Sequence, residues 1–440
     1  MQEQHEIPSH ATITQDQLDA MVGLHNRFLE GRIGGRRATL EGVDLQGLSL
    51  KGKELRQAIF SACNMQYMDL SGANFKEAEL YACDLSHANL YQTVFTRADL
   101  RGARIENANL EGADLEAADL RRGGISRNIE GVTSEQQSAV NFRGANLSGA
   151  KMSGSMASHA DFSDAMMSGA SMKDADLRGA QLEGADLSNA DIGGAKLKGA
   201  NTRSAIMTGV AVTALRDCGA DLSGAITDEN VGRSVSDLSE PLPKLLEDHR
   251  EWLKSRGAKG QQLDLTSIDL RVLGSLKMEQ LTAIKANKAR FFGMNLYKVE
   301  MQSAVLDESD FRRCDMEEAD LRGSSFIRAH FSHANLKGAQ CSALMLGAGG
   351  TSRFNPCNFE GAVFRYAKMS EGSYKDAIFK GADLSYADLS GCDLRGADFS
   401  GAVMDGVNLD DSKTEGAVFD RDENRPVFRF PKDASDDDGL

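Results

Sequence analysis

Two histidines occupy matching places in two short amphipathic segments and are the first candidates for chemistry. His25 follows Leu18 by seven residues, and His249 follows Leu242 by seven. The pair could contact a shared ligand or partner, or each could hydrogen-bond a backbone carbonyl of a neighbouring element. Apolar residues surround both histidines, and a buried polar side chain needs a hydrogen-bond partner. We therefore interpret His25 and His249 as structural residues.

The other metal-binding residue types are scattered. His330 and His333 flank Phe331, but a metal site would need a third and a fourth ligand, and we find none. The seven cysteines form no CxxC pair and no even framework, so we expect reduced thiols rather than disulfides or a metal knuckle. Cys63 and Cys83, twenty residues apart, are interpreted as small apolar fillers.

Aspartate and asparagine recur before leucines and could suggest paired catalytic carboxylates. Because they recur at one position of a repeat, solvation of a surface explains them better than acid–base chemistry. The sequence contains no P-loop, HExxH, GxSxG or dinucleotide fingerprint. The glycine-rich stretch 347–350 lacks the strand–helix context and the lysine of a phosphate loop. We predict a protein that is not an enzyme and binds no cofactor.

Composition and charge limit the partners. The 440 residues include 65 acidic and 50 basic side chains, for a formal net charge of −15. Direct nucleic-acid binding needs clustered lysine and arginine and is not expected. No apolar run is long enough for a membrane span, and the N-terminus lacks a secretory signal. We expect a cytoplasmic protein.

A period of five residues dominates the chain. Every fifth residue from Leu40 to Leu120 is large and apolar, and the residue two places earlier is mostly Ala or Cys. Asp or Asn commonly lies between them, so that the unit reads Ala-(Asp/Asn)-Leu-x-Gly. The frame resumes after interruptions and continues to Leu409. The residues expected to form the core are Leu70, Phe75, Leu110, Leu115, Leu177, Leu182, Leu187, Leu321, Leu384, Leu389 and Leu394.

This period matches neither a helix nor a continuous strand. On a helix, five-residue steps advance about 500° and would spread the leucines around the cylinder, which argues against a leucine-rich helical array. Two inward side chains followed by a polar or glycine-containing turn form an edge and a corner, so the chain must coil. Edges of successive coils can pair about 4.8 Å apart. The pattern predicts an all-β solenoid.

The repeat resembles the signature A-(D/N)-L-x-x of the pentapeptide-repeat family over most of the chain. The resemblance implies a right-handed quadrilateral β-helix with four pentads in each coil. It also implies that the central Leu or Phe and the small residue two places before it face the interior. Some members of this family act on DNA gyrase and resemble a DNA duplex in size and charge, and some are delivered into host cells.

The chain contains two similar modules, each an amphipathic helix followed by a pentad array. Apolar residues follow helical spacing in residues 14–31 and, with the same offsets, in residues 240–256. A solenoid end exposes apolar side chains and unpaired strand edges, so we assign both helices as N-terminal α-helical caps. The residues assigned to the caps are Leu18, His25, Phe28 and Leu29, and Leu246, His249, Trp252 and Leu253.

Breaks in the pattern set the predicted boundaries. We expect a disordered N-terminus over residues 1–13 and an acidic tail over residues 425–440. Residues 274–288 are interpreted as a second helix of the C-terminal module. The remaining segments are a first module at 14–225 with a loop or bulged coil at 126–139, a linker at 226–239, and a second module at 240–424 with an insertion at 271–288 and a break at 347–356.

A solenoid without catalytic motifs presents ordered walls, which favours a protein–protein interaction or scaffold function. The identity of the partner and the oligomeric state stay open. An alternative implied by the resemblance is a DNA mimic that modulates DNA gyrase or another DNA-binding protein, and an almost wholly acidic wall would favour it. Weaker alternatives are a translocated bacterial effector and an enzyme with its site in residues 274–288 or between the modules.

Overall fold

The computed structural model describes residues 11–129, 132–346 and 353–420. The chain divides into two compact units, residues 1–230 and residues 231–440. Each unit is a coiled β-solenoid with an α-helix before its first complete coil. The predicted acidic tail at 425–440 lies outside the described residues.

Parallel pairing between residues one coil apart builds both solenoids. Asn89 bridges Asp69 in the preceding coil and Asn109 in the following coil. Leu90 donates its backbone N–H to the carbonyl of Asn109 at 2.7 Å, and Asn109 donates to the carbonyl of Ala88 at 3.0 Å. Such a bridge recurs once per pentad, so each coil has four edges. The predicted all-β solenoid is confirmed.

A β-turn at each corner lets the chain change direction. The backbone N–H of Ala73 donates to the carbonyl of Leu70 at 3.0 Å, and Gly72 between them has a φ of 65°. A positive φ at the third turn residue is typical of type II turns and explains the frequent glycine at the end of the repeat. Asn107 adopts the same region with a φ of 56°.

Longer regular elements are few. The helices are α1 (Gln15–Leu29), α2 (Val212–Asp217) and α3 (Leu242–Lys254), with 3₁₀ turns at Val235–Asp237 and Arg271–Leu273. The strands are β1 (Ala11–Thr12), β2 (Thr39–Glu41), β3 (Val43–Asp44), β4 (Ile59–Ser61), β5 (Gly123–Ile129), β6 (Val132–Ser138), β7 (Arg233–Ser234), β8 (Ile268–Asp269), β9 (Leu344–Leu346) and β10 (Arg353–Asn355).

Two boundaries expected from the sequence were wrong. Strand β1, which falls in the N-terminus expected to be disordered at 1–13, pairs in parallel with β3. Strand β7, which falls in the expected linker at 226–239, pairs in parallel with β8. Backbone hydrogen bonds to the first coil order both segments, and their polar sequences gave no sign of this. A short strand therefore precedes the helix in each unit.

The interruption expected at 126–139 as a loop or bulged coil is an antiparallel β-hairpin. β5 pairs with β6 in register from Gly123 with Ser138 to Ile129 with Val132. Coil stacking continues behind it, because Arg104 bridges Asn141. The hairpin is thus inserted at one corner without disturbing the solenoid.

A second, shorter hairpin accounts for the break expected at 347–356. β9 pairs antiparallel with β10, and residues 347–352 lie outside the described ranges. Ser325 bridges Asn358 behind this hairpin, so the coils of the second unit also continue in register.

The helix expected at 274–288, within the insertion expected at 271–288, does not form. These residues are pentads of the coil, and Gln280 bridges Glu300 in the next coil. Ile284 occupies the small inward position and Ala286 the central one, and both are buried. Because the large and the small side chain have exchanged places within one pentad, the volume is conserved while the sequence pattern is lost.

The lumen of each unit is filled by the central residue of every pentad. The residues predicted from the sequence to form the core are all at most 1% exposed. They are Leu70, Phe75, Leu110, Leu115, Leu177, Leu182 and Leu187 in the first unit, and Leu321, Leu384, Leu389 and Leu394 in the second.

Stacked phenylalanines add a second kind of contact in the lumen of the second unit. The rings of Phe291, Phe311, Phe331 and Phe364 follow one another at centroid distances of 4.6, 5.0 and 4.7 Å. Their planes are inclined by 7° or less. Aromatic pairs in such arrays contribute about 0.5–1.5 kcal/mol beyond their burial.

Tyr374 is an exception to the apolar lumen. It takes a central position, and room for its ring comes from two smaller neighbours, Gly372 at the inward position of the same pentad and Cys341 at the equivalent position one coil earlier. A Cβ on Gly372 would lie 2.6 Å from the Tyr374 ring. The hydroxyl is buried and has no hydrogen-bond partner among the described residues.

We expect Tyr374→Phe to stabilise the second unit, because it keeps the ring and removes the unpaired hydroxyl. The gain should be about 1–3 kcal/mol in the free energy of unfolding, the usual penalty of a buried unsatisfied polar group. Urea denaturation measures it. The matched control is Tyr297→Phe, since the Tyr297 hydroxyl is exposed and contacts Glu318 at 3.3 Å. A Tyr374→Phe variant no more stable than the parent protein would contradict the prediction.

Candidate functional site

The outward residues of the coils form ordered ladders. The residue before each central Leu or Phe points outward and bridges its equivalents in the neighbouring coils, and we call this the ladder position. Equivalent edges stacked along a unit form a wall, and each unit has four walls.

The ladder residues define the walls. In the first unit they are Thr39, Ile59, Glu79, Asp99, Asp119, Met156, Asp176 and Lys196 on wall A; Asp44, Asn64, Asp84, Arg104, Asn141, Asp161, Gln181 and Asn201 on wall B; Ser49, Asp69, Asn89, Asn109, Asn146, Met166, Asp186, Ile206 and Ile226 on wall C; and Glu54, Asn74, Val94, Asp114, Lys151, Ser171 and Asp191 on wall D.

The second unit has walls E to H. Their ladder residues are Asp264, Lys285, Val305, Ser325, Asn358, Ile378, Asp398 and Val418 on wall E; Asp269, Arg290, Asp310, His330, Val363, Asp383 and Val403 on wall F; Ser275, Asn295, Asp315, Asn335, Lys368, Asp388 and Asn408 on wall G; and Gln280, Glu300, Asp320, Gln340, Ser373, Asp393 and Lys413 on wall H.

Hydrogen bonds fix many ladder side chains. On wall C the Asn89 side-chain amide donates to Asp69 at 3.2 Å, and the Asn146 amide donates to Asn109 at 3.3 Å. The Asn89 side-chain oxygen also accepts the backbone N–H of Tyr91 at 3.3 Å. Asp and Asn therefore recur at this position because they bond both their own turn and the next coil, in addition to being solvated.

Aspartate–arginine forks neutralise many of the wall carboxylates. In Asp119-Leu-Arg121 the guanidinium donates to both carboxylate oxygens, at 2.9 and 2.6 Å. The same arrangement holds Arg178 on Asp176, and this hydrogen bond lowers the pKa of Asp176. The forks are Asp99–Arg101, Asp119–Arg121, Asp176–Arg178, Asp269–Arg271, Asp310–Arg312, Asp320–Arg322 and Asp393–Arg395.

The ladders are mixed in charge. In none of the described ladders do carboxylates make up more than half of the positions, and neutral residues are present in all of them. Asp69 and Asp186 are the acidic members of the wall C ladder. An almost wholly acidic wall, which a duplex-DNA mimic would need, is therefore absent among the described ladders.

His25 joins α1 to the first coil of the first unit. Its Nδ1 accepts the backbone N–H of Ala38 at 3.1 Å, and its Nε2 lies 3.1 Å from the carbonyl of Arg56. The side chain is fully buried, beside Leu18 and Val22 on the same helix face. Both ring nitrogens therefore bond the backbone of the coil.

His249 plays a similar part in the second unit. Its Nδ1 accepts the backbone N–H of Leu263 at 3.1 Å. Its Nε2 makes no hydrogen bond of normal geometry to a described residue, although the backbone of Thr282, the counterpart of Arg56, interacts with the ring. The ring stacks on Trp252 with centroids 5.7 Å apart, as His25 stacks on Phe28 at 5.8 Å. Each histidine accepts a hydrogen bond from a backbone amide of the coil. No other described His, Cys, Asp or Glu side chain lies where it could bind a metal ion together with either histidine.

We expect acid to destabilise the fold before the carboxylates titrate. Burial lowers the pKa of His25, of His249 and of His330, the last to about 4. The unfolded chain takes up protons near the ordinary histidine value of 6.5, so stability is complete above that pH and falls as the pH drops below it. For His330 the loss continues to about pH 4.

Urea denaturation at pH 8, 7, 6 and 5 measures this dependence. Each histidine should contribute up to about 1.4 kcal/mol for each unit by which its pKa is lowered. A free energy of unfolding that stays constant or rises from pH 7 to pH 5 would contradict the prediction.

The remaining candidate residues are not brought together. The His333 ring stacks on Tyr366 with centroids 5.1 Å apart. All seven cysteines are buried and free, and burial raises the pKa of Cys392 to about 12. Within the described ranges no group of His, Cys, Asp and Glu side chains could hold a metal ion. None of the described helices is long and apolar enough to cross a lipid bilayer.

Sequence reasoning missed two surface features. The Asp-x-Arg forks are visible in the sequence as six Asp-Leu-Arg triplets and one Asp-Phe-Arg triplet at 310–312, which could have identified them. A cavity of about 250 Å³ beside hairpin β5–β6 is lined by Arg101, Arg121, Arg122, Ser158 and His159. These residues come from three coils, and the cavity could not be found before the coil register was known.

Comparison with known proteins finds one matching family model and several similar solved structures. The model of pentapeptide repeats matches in eight copies, over residues 38–76, 78–122, 138–174, 167–201, 314–344 and 376–413. These repeats build a right-handed β-helix. No curated protein matches.

Solved structures of similar proteins include a plasmid-mediated protein, a cyanobacterial protein and a plant protein. QnrB1, a plasmid-mediated fluoroquinolone resistance protein, is 22% identical over 44% of this chain and 90% of its own, with a TM-score of 0.34. HetL, involved in heterocyst differentiation in Nostoc sp. strain PCC 7120, is 19% identical over 89% and 93%, with a TM-score of 0.24. A thylakoid-lumen protein of Arabidopsis thaliana is 29% identical over 26% and 66%, with a TM-score of 0.18.

Proposed function

The chain belongs to the pentapeptide-repeat family, and on that premise we propose that it is a non-catalytic scaffold that binds other proteins through the walls of its solenoids. The observation that carries the proposal is the fixed arrangement of polar side chains on those walls. On wall C the amides and the carboxylate of Asn146, Asn109, Asn89 and Asp69 are linked from coil to coil.

Fixed side chains favour tight recognition of a protein surface. Ordering a flexible side chain at an interface costs about 0.5–1.5 kcal/mol, and a side chain already held in place avoids most of that cost. The forks hold arginines in the same way, as with the bidentate contact of Arg395 to Asp393 at 2.8 and 2.7 Å. A wall is thus a preorganised array of donors and acceptors with a regular spacing.

Three cavities on the described surface have volumes of about 250, 270 and 140 Å³. These volumes lie below the range of about 300–1,000 Å³ that enzyme or drug-like ligand sites usually occupy. The shifted pKa values of the wall carboxylates accompany ion pairs of the repeat itself, as with Asp176 and Arg178. These features favour a surface function.

A DNA-mimic function directed at DNA gyrase is the second candidate, and the chain's net charge of −15 is what favours it. The distribution of the charge weighs against it, because the ladders are mixed and many carboxylates are paired with arginine. Nothing in the described residues favours an effector function.

We further propose that α1 and α3 are end caps and that each unit is one copy of a duplicated strand–helix–solenoid module. The contacts of His25 and His249 with the first coil support this assignment. Reduced, buried thiols suit a reducing compartment, and we propose the cytoplasm.

The test is capture of partners from the source cell by the immobilised full-length protein, followed by calorimetry with the purified partner. Each of the eight walls receives a variant in which two ladder residues are replaced by Arg. On wall C these are Asn89→Arg and Asn109→Arg, and on wall H they are Glu300→Arg and Gln340→Arg. If a wall is the binding surface, the variant of that wall should weaken binding by at least about tenfold with unchanged circular dichroism. A partner whose affinity is unaffected by variants of all the walls would overturn the proposal.

A DNA gyrase supercoiling assay with the purified full-length protein tests the DNA-mimic candidate. Unchanged supercoiling at saturating protein would remove the DNA-mimic candidate, and inhibition that competes with DNA would replace the scaffold proposal with it.

A further inference from the structure

The cavity on wall A is bounded by side chains that donate hydrogen bonds. Arg101, Arg121 and Arg122 line one part of it, and Ser158 and His159 line another, within a volume of about 250 Å³. Residues 101, 121 and 158 follow the central residues of three successive coils, so they stack along the wall. Hairpin β5–β6 begins at Gly123, immediately after the second and third of these arginines.

The base of the hairpin is held firmly against the coil. A Cβ on Gly123 would lie 2.8 Å from the backbone carbon and oxygen of Arg101, so only glycine permits this approach. The Tyr81 hydroxyl donates to the carbonyl of Gly124 and accepts its N–H, both at 2.7 Å. Arg101 also lies over the Tyr81 ring, 5.4 Å from its centroid. These contacts fix the positions of the arginines that line the cavity.

The opposite side of the cavity is also fixed by a glycine. The His159 ring lies against Gly179 of the next coil, where a Cβ would come within 2.5 Å of His159 Nδ1. The absence of a side chain at this corner lets the imidazole lie flat along the wall.

Positive charge exceeds negative charge at the cavity. Arg101 and Arg121 are engaged by Asp99 and Asp119, with closest contacts of 2.6 Å. Among the side chains that the structure describes, which exclude those of residues 125–137, none forms an ion pair with Arg122. Among the described side chains at the cavity there are therefore three guanidinium groups and two carboxylates, in a protein whose net charge is −15.

We propose that this cavity binds a phosphate group as a dianion. A planar guanidinium donates in a fork that matches a tetrahedral oxyanion, and Arg122 lines the cavity without an ion pair to any described side chain. The Ser158 hydroxyl and the His159 imidazole supply further donors on the opposite side. The volume accommodates the phosphate together with part of the group that carries it. The ligand is free phosphate or a phosphorylated side chain of a protein. Phosphate binding at this cavity does not require that the walls bind other proteins.

The experiment titrates the full-length protein with inorganic phosphate at an ionic strength of about 0.15 M, where the Debye length is about 8 Å, and follows the heat of binding. Saturable binding of one phosphate per chain is expected, with a Kd between about 0.1 and 5 mM. Arg122→Gln should weaken it about tenfold, because it removes the charge-assisted hydrogen bonds. Gly179→Ala, which displaces His159, should weaken it as well.

Arg178→Gln is the matched control. Arg178 lies on the same wall one coil beyond Ser158, is engaged by Asp176, and does not line the cavity. Its loss should change the affinity much less than Arg122→Gln does, by at most about threefold, because Arg178 does not line the cavity and acts on the bound anion only through a field that the salt screens. Equal effects of Arg122→Gln and Arg178→Gln, or no saturable binding of phosphate or of the phosphopeptide below, would overturn the proposal.

A second titration distinguishes the sources of the phosphate. The probe is the blocked tripeptide Gly-phosphoserine-Gly, with the unphosphorylated tripeptide as reference. Tighter binding of the phosphopeptide than of inorganic phosphate, abolished by Arg122→Gln, assigns the site to a phosphorylated protein. Tighter binding of inorganic phosphate assigns it to the free ion. Equal binding of the phosphorylated and the unphosphorylated peptide would count against a phosphate site.

Discussion

Leu182→Asp is expected to unfold the first unit. Leu182 is fully buried at a central position of wall B, between Phe162 in the preceding coil and Thr202 in the following one. A carboxylate at this point would lie in a narrow lumen with no cation to pair it, which costs about 3–5 kcal/mol or more. Loss of the buried leucine side chain costs about 2–5 kcal/mol more. Because domains of this kind have a total stability of about 5–15 kcal/mol, the two costs together are large enough to unfold the unit.

Hydrogen exchange followed by mass spectrometry measures the effect. Amide protection in peptides from residues 38–226 should fall toward that of the unfolded chain, because each coil depends on its neighbours for hydrogen bonds. Gln181→Asp, one residue earlier and on the exposed ladder, should leave protection unchanged. Retained protection and an unchanged melting profile in Leu182→Asp would mean that the lumen assignment is wrong.

The coil could be predicted from the sequence because each pentad places one large and one small side chain in the lumen. This requirement is local, and it is visible wherever a pair such as Ala113 and Leu115 recurs at the same spacing. The lumen requires a certain total side-chain volume from each pentad, and it does not require that the small residue come before the large one. The exchange of Ile284 and Ala286 satisfies this requirement equally well, which is why the first coils of the second unit were interpreted as a helix.

A polar residue at an inward position also misled the sequence reading. Glu279 takes the small inward position two residues before Leu281. In the structure it lies in the first complete coil, and its carboxylate pairs with Arg250 of α3 at 2.5 Å. A charge is tolerated there because the helix supplies its partner, and a repeat pattern alone cannot show which coil lies next to a helix.

The two hairpins show where local patterns stop being informative. Residues 123–138 have no regular alternation of apolar and polar side chains, and their antiparallel pairing is fixed at the base by contacts with Tyr81 and Arg101 from earlier coils. The same holds for the phosphate cavity. His159 and Arg122 lie 37 positions apart in the sequence numbering, because the hairpin is inserted between their neighbouring coils and hides the 20-residue coil spacing from a sequence reading.

His25→Ala is expected to destabilise the first unit through its N-terminal end. The substitution leaves the N–H of Ala38 and the carbonyl of Arg56 without their side-chain partner. Each buried unsatisfied group costs about 1–3 kcal/mol, so a total near 3 kcal/mol is expected. For a unit of this size that corresponds to a fall in Tm of about 6–12 °C. Differential scanning calorimetry measures it.

Two comparisons make the result specific to the hydrogen bonds. Asn26→Ala, at the exposed neighbouring position of α1, should change Tm by less than about 2 °C, as for most surface substitutions. His249→Ala should cost less than His25→Ala, because His249 has one hydrogen bond to the coil where His25 has two. If His25→Ala proved no more destabilising than Asn26→Ala, α1 would not be held to the coil by this side chain, and its assignment as an end cap would fail.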